Sequence, residues 1–154
     1  MPIERVTHVG ICVTDLERSI AFYRDRLGFR HLSEIRVAGE PSDTLLSLQN
    51  VDLRAAYLER DGLRIELLHY SSPASPAPER PRPMNELGLT HLSIRVSGLK
   101  ELVRDLRARG VRIGDETMID IPAFEAAAVM IYDPDGQKIE LVQAPGDPAA
   151  PPQV

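Results

Sequence analysis

The chain has a single cysteine, Cys12, among its 154 residues, so no disulfide can form within it and packing alone has to hold the fold. It lacks long apolar runs; the longest are a few residues, far short of the roughly 20 that a membrane-spanning helix needs. It also lacks any basic run, and its formal net charge is −5. Binding to nucleic-acid phosphates has no electrostatic footing here. The first residues, Met1-Pro2-Ile3-Glu4-Arg5, show neither the charged region nor the apolar region of a signal peptide. These absences predict a soluble cytoplasmic protein that engages neither nucleic acid nor membrane. Two chemical signatures are missing as well. There is no G-x-G-x-x-G or P-loop for a nucleotide, and no G-x-S-x-G setting for a hydrolytic serine.

What is present suits a packed domain. Hydrophobic residues make up 43% of the chain, enough for a core, and the length fits one compact unit or two small modules sharing one. Arginine outnumbers lysine 16 to 2, a bias a GC-rich genome would produce, and no function attaches to it.

The informative feature is an internal repeat. Thr7-His8-Val9-Gly10-Ile11-Cys12-Val13 matches Thr90-His91-Leu92-Ser93-Ile94-Arg95-Val96, and Asp61-Gly62-Leu63-Arg64-Ile65-Glu66-Leu67 matches Asp135-Gly136-Gln137-Lys138-Ile139-Glu140-Leu141. Both blocks recur in the same order. Each half reads as a strand, a helix and three strands. Val6 to Val13 alternates in the strand manner. Thr14 or Asp15 then offers a helix N-cap, Leu16, Ile20, Tyr23 and Leu27 share one helical face, and Gly28 stands where the helix should stop. In the second half Leu92, Ile94 and Val96 alternate, Leu99, Leu102, Val103 and Leu106 form the stripe, and Gly110 ends it. Strands are expected over Phe29 to Val37, Asp52 to Glu59 and Leu63 to Tyr70, then Val111 to Met118, Ala126 to Tyr132 and Lys138 to Gln143. Asp61-Gly62 and Asp135-Gly136 mark hairpin turns.

The organisation expected is therefore a first module over residues 1–70, a proline-rich linker over 71–87, a second module over 88–144 and a flexible tail over 145–154. Ala38 to Asn50 reads as a loop with weak strand character near Leu45 to Leu48, long enough to serve as a lid or a surface excursion.

Strand parity assigns faces. Val9, Ile11 and Val13 face the helix, which turns His8, Gly10 and Cys12 the other way; His91, Ser93 and Arg95 do the same in the repeat. Ile65 and Leu67 face inward with Glu66 opposite, and Ile139 and Leu141 inward with Glu140 opposite. An isolated outward glutamate is ordinarily a solvated side chain, and a lone histidine ordinarily structural. Here His and Glu recur at equivalent positions of both modules, which exposure alone does not require. His8, Glu66, His91 and Glu140 are thus candidate ligands of one divalent metal. Two imidazoles and two carboxylates suit Zn, Ni, Co, Mn or Fe(II), and the ligand set does not choose among them. Six-coordination would leave two positions for a substrate with adjacent oxygens, and a ligating carboxylate could also move a proton.

The remaining candidates are weaker. Cys12 lies roughly 13 Å along the strand from His8 and reads as a small buried residue. His69 points away from the face of Glu66, His31 has no counterpart in the repeat, and both read as structural or surface residues. Arg95 shares the face of His91, where it could hold an anionic group or simply sit in solvent.

The paired T-H-[VL]-x-I-x-V strands and the closing Asp133-Pro134-Asp135-Gly136-Gln137-Lys138-Ile139-Glu140-Leu141 resemble the vicinal oxygen chelate superfamily over about Ile3 to Ala144. That resemblance implies an α+β fold of two βαβββ modules forming a cupped eight-stranded sheet around a metal, helices outside, and commonly a homodimer. Glyoxalase I and methylmalonyl-CoA epimerase carry ligands at the four places held here by His8, Glu66, His91 and Glu140. Ile65-Glu66-Leu67-Leu68-His69-Tyr70 with the proline spacer and Leu89-Thr90-His91 is similar to the epimerases, and Pro134-Asp135-Gly136 to glyoxalase I. The third strand, Asp52-Leu53-Arg54-Ala55-Ala56-Tyr57, lacks the further glutamate base that bacterial epimerases use.

The leading expectation is proton transfer next to a carbonyl of a small molecule, by an isomerase, epimerase or glyoxalase-type lyase, with Glu140 or Glu66 moving the proton. An Fe(II) ring-cleaving dioxygenase needs only two histidines and one carboxylate, which makes Glu66 superfluous. An antibiotic-sequestering binder of the same fold would not need the complete ligand set.

Overall fold

In a computed structural model of the chain, residues 2–76 and 82–146 are described. The chain divides into two compact units, Met1–Glu79 and Arg80–Val154. The middle of the expected linker and nearly all of the expected tail lie outside the described residues.

The first unit contains β1 (Val9–Cys12), α1 (Leu16–Asp25), β2 (Arg30–Ala38), α2 (Glu40–Leu46), β3 (Asp52–Arg60) and β4 (Leu63–Ser72). Its sheet has the order β1-β4-β3-β2. The first and last strands of the repeat unit are therefore neighbours, paired in parallel with Gly10 opposite Glu66. α1 starts where Asp15 caps it, its carboxylate accepting from the Arg18 N–H at 3.0 Å, and Gly28 follows in the left-handed region at φ 72°. The stripe read from the sequence is buried: Leu16, Ile20, Tyr23 and Leu27 pack with Leu58, Ile65 and Leu67. Each such side chain, fully buried, contributes about 1.5–3 kcal/mol.

The second unit contains β5 (His91–Arg95), α3 (Leu99–Ala108), β6 (Arg112–Ile121), a 3₁₀ turn (Pro122–Phe124), β7 (Ala126–Tyr132) and β8 (Lys138–Gln143). The order β5-β8-β7-β6 repeats that of the first unit, and Ser93 pairs opposite Glu140. Leu99, Val103 and Leu106 of α3 are buried with Val129, Ile131, Ile139 and Leu141, while Leu102 is only half-buried. The eight strands thus form two four-stranded mixed sheets, the α+β pattern expected.

Three expectations need correcting. Ala38 to Asn50 is not a plain loop, because it carries the seven-residue helix α2. Gly39 turns the chain into it at φ 89°, Pro41 stands in the first turn where its missing N–H is harmless, and Ser47 ends it in the left-handed region. The Asp43 carboxylate then accepts from the N–H groups of Asn50 and Val51 at 3.0 and 2.8 Å. Apolar periodicity missed this helix because it has no apolar stripe; Leu45 is 82% exposed. The first strand starts at Val9 rather than Val6, since pairing with β4 begins only at Ile65. Cys12 is exposed, not buried, with its thiol 3.1 Å from the Ser75 hydroxyl. It lies on the sheet face opposite α1, so the helix does not cover it.

Candidate metal centre

Parallel pairing of first and last strands is what brings histidine and glutamate together. In the first unit Gly10 is level with Glu66, so His8 stands two residues away along the neighbouring strand on the same face. Side chains on that diagonal reach one another. The His8 Nε2 is 3.0 Å from a Glu66 carboxylate oxygen. On the other side of the ring, the Thr7 hydroxyl lies 3.0 Å from Nδ1. The second unit repeats the arrangement: Thr90 Oγ1 is 2.9 Å from His91 Nδ1, and His91 Nε2 is 3.8 Å from Glu140. In both, a hydroxyl holds Nδ1 and leaves Nε2 turned towards the carboxylate.

The surroundings of the two glutamates differ. Glu66 accepts a hydrogen bond from the Tyr57 hydroxyl, and Tyr57 is its cross-strand partner on β3. That carboxylate, together with burial, pushes the phenol up to about 12 and keeps it a neutral donor. The Tyr57 ring also meets the His8 ring edge-on, with centroids 5.5 Å apart. In the second unit the partner of Glu140 on β7 is Met130, which has no proton to donate. The donor comes instead from β5, where the Ser93 hydroxyl lies 2.6 Å from the carboxylate. The Glu66 side chain is 12% exposed and that of Glu140 30%.

Each pair is chemically fit to hold part of a metal site. Two donors bound cis to one octahedral ion, each about 2.1 Å from it, stand roughly 3.0 Å apart. The His8–Glu66 spacing matches this, and His91–Glu140 is somewhat wider. Among the described residues no three His, Cys, Asp or Glu side chains are gathered at one point. The structure brings His8 to Glu66 and His91 to Glu140, each within its own unit.

The other candidates make contacts of their own. His69 lies on the α1 side of the sheet, level with Arg54, with its Nδ1 buried and unpartnered. His31 is 3.6 Å from Glu34. Arg95 donates to the Ala144 carbonyl at 3.1 Å. Tyr57 and the two threonines are the residues that the sequence reading missed. Thr precedes His in both copies of the first block, a signal that was there to be used.

The chain is thus a duplicated β-α-β-β-β unit with a threonine-backed His–Glu pair in each copy. Residues 5–141 match the family model described as the Glyoxalase/Bleomycin resistance protein/Dioxygenase superfamily, and the chain belongs to that superfamily. Mitochondrial methylmalonyl-CoA epimerase of Mus musculus is 28% identical over 91% of this chain and 73% of its own length. Among solved structures, a glyoxalase family protein from Bacillus cereus superposes with a TM-score of 0.80 at 24% identity, covering 95% of this chain and 97% of that one. The trypanothione-dependent glyoxalase I of Leishmania major gives 0.62 at 28% identity over 92% of this chain and 87% of its own. No described helix is long and apolar enough to cross a membrane.

Proposed function

We propose that the protein is a divalent-metal-dependent isomerase, epimerase or glyoxalase-type lyase that moves a proton next to the carbonyl of a small molecule. His8, Glu66, His91 and Glu140 are its metal ligands, and it works as a homodimer. The observation that carries this is the repetition of one His–Glu pair with its threonine at equivalent places in both units. Likeness to an epimerase and to a glyoxalase I supports the reaction class.

A bound divalent ion supplies Lewis acidity, which polarises a carbonyl oxygen and acidifies the adjacent C–H bond. The chain's own groups then divide the work. Glu66, held by the hydroxyl of Tyr57, keeps its position. Glu140, more open and held by the hydroxyl of Ser93, takes and returns the proton. The two imidazoles would offer their Nε2 lone pairs to the ion.

Metal analysis of protein purified without chelator or affinity tag should find close to one divalent ion per pair of units. Solvent deuterium should enter small carbonyl compounds in the presence of the native chain, followed by NMR. Glu140→Gln should keep the fold and lose that exchange. Metal content near zero, or full exchange in the variant, defeats the assignment.

A further inference from the structure

Tyr57 stands in neither ligand set, yet it touches both members of one pair. Its hydroxyl donates to the Glu66 carboxylate and its ring edge packs against the His8 imidazole, with centroids 5.5 Å apart at 71°. Gly10, the β1 neighbour of Glu66, offers no side chain that could do this. In the second unit the roles are exchanged. Ser93, which holds the place of Gly10, donates to Glu140. Met130, which holds the place of Tyr57, donates nothing. Each carboxylate receives one hydroxyl, delivered from opposite neighbouring strands.

The consequences for the two carboxylates differ. A phenol is a rigid arm with two rotatable bonds, wedged here against the imidazole that shares the site. A serine hydroxyl turns freely about one bond and follows a carboxylate that moves. We propose that Tyr57 is a positioning residue that fixes Glu66 and His8 as one rigid pair, aligned for a metal before the ion arrives. This rests on the ligand assignment above and adds to it a group that orients two of the ligands without being one.

The test compares Tyr57→Phe and Glu66→Gln with the native chain, using Zn(II) alone in a chelator competition and Co(II) alone by visible absorption. Tyr57→Phe removes one oxygen and keeps the ring, so the metal-free protein should melt as the native one does. Its Zn(II) affinity should fall about 10- to 100-fold, the usual range for groups that orient a metal ligand, and its Co(II) bands should shift. Tyr57→Met, which copies the second unit, should lose at least as much affinity. A residue that merely filled space would leave the Co(II) spectrum of Tyr57→Phe unchanged. Native affinity and spectrum in Tyr57→Phe, with metal lost in Glu66→Gln, overturns the role of Tyr57 alone. Native affinity in Glu66→Gln overturns the ligand assignment and the role of Tyr57 with it.

Discussion

In the first unit the imidazole and carboxylate are 3.0 Å apart, the carboxylate is 12% exposed and a tyrosine braces both. In the second unit the same two groups are 3.8 Å apart, the carboxylate is 30% exposed and a single serine hydroxyl reaches it. Sheet order, pairing direction and the threonine on each Nδ1 are the same in both. The difference arises in the cross-strand positions beside the glutamates, where Tyr57 and Gly10 stand against Met130 and Ser93. Duplication preserved the His–Glu pairs and let their supports diverge, which is how two chemically identical carboxylates come to have unequal exposure.

The largest test of equivalence lies in the cores. Ile65 and Ile139 occupy the same repeat position and are both fully buried. Ile65→Ala and Ile139→Ala should each cost about 2–5 kcal/mol in urea unfolding. A loss confined to one variant would mean the units do not share their stability evenly. Next, His8→Ala and His91→Ala should each weaken Zn(II) binding by on the order of 100-fold or more, since each removes a direct donor. If one variant binds normally, the pairs do not serve a common ion.

A finer test transplants one support onto the other. Gly10→Ser in the Tyr57→Phe background puts a hydroxyl where Ser93 has it, and should recover about tenfold of the lost Zn(II) affinity. The new Cβ meets the end of the Leu68 side chain at 3.2 Å, which has only to shift slightly.

The smallest effect concerns acid. Arg36 on β2 holds the Asp52 carboxyl of β3 below its usual value, and the Gly62 N–H and Arg30 do the same for Glu59. A depressed folded value adds stability above the unfolded values of 3.8 and 4.5 that is lost as pH falls through the lower folded ones. Both groups are half-buried and still reached by solvent, so the contribution is small. Arg36→Ala should slightly flatten the fall in urea midpoint below pH 3.8; an unchanged slope would discount that pair.

Most of the fold was legible because the repeat supplied two readings of each element. The helix stripes, the two hairpins and the shared face of each His–Glu pair followed from period and parity. Which strands are neighbours did not follow, since parity says nothing of order. The sequence therefore put His8 and Glu66 on one face without showing that β1 lies beside β4. Helix α2 escaped because its start and stop rest on Gly39, Pro41 and Ser47 rather than on an apolar stripe. Tyr57 could have been found. Asp61 and Gly62 both have positive φ, 53° and 82°, as a two-residue turn of type I′ requires. Counting back from such a turn places residue 57 opposite residue 66. The five residues between β7 and β8 fix no such count, so the place of Met130 had to come from coordinates.

The threonines beside the two imidazoles have one more consequence. A hydroxyl both gives and receives, unlike a backbone carbonyl, which only receives. A ring with its proton on Nδ1 would find an acceptor in the threonine oxygen and would leave Nε2 free to meet an ion, while a ring with its proton on Nε2 would find a donor in the same hydroxyl. Either tautomer keeps its hydrogen bond to threonine through the rotation of one hydroxyl.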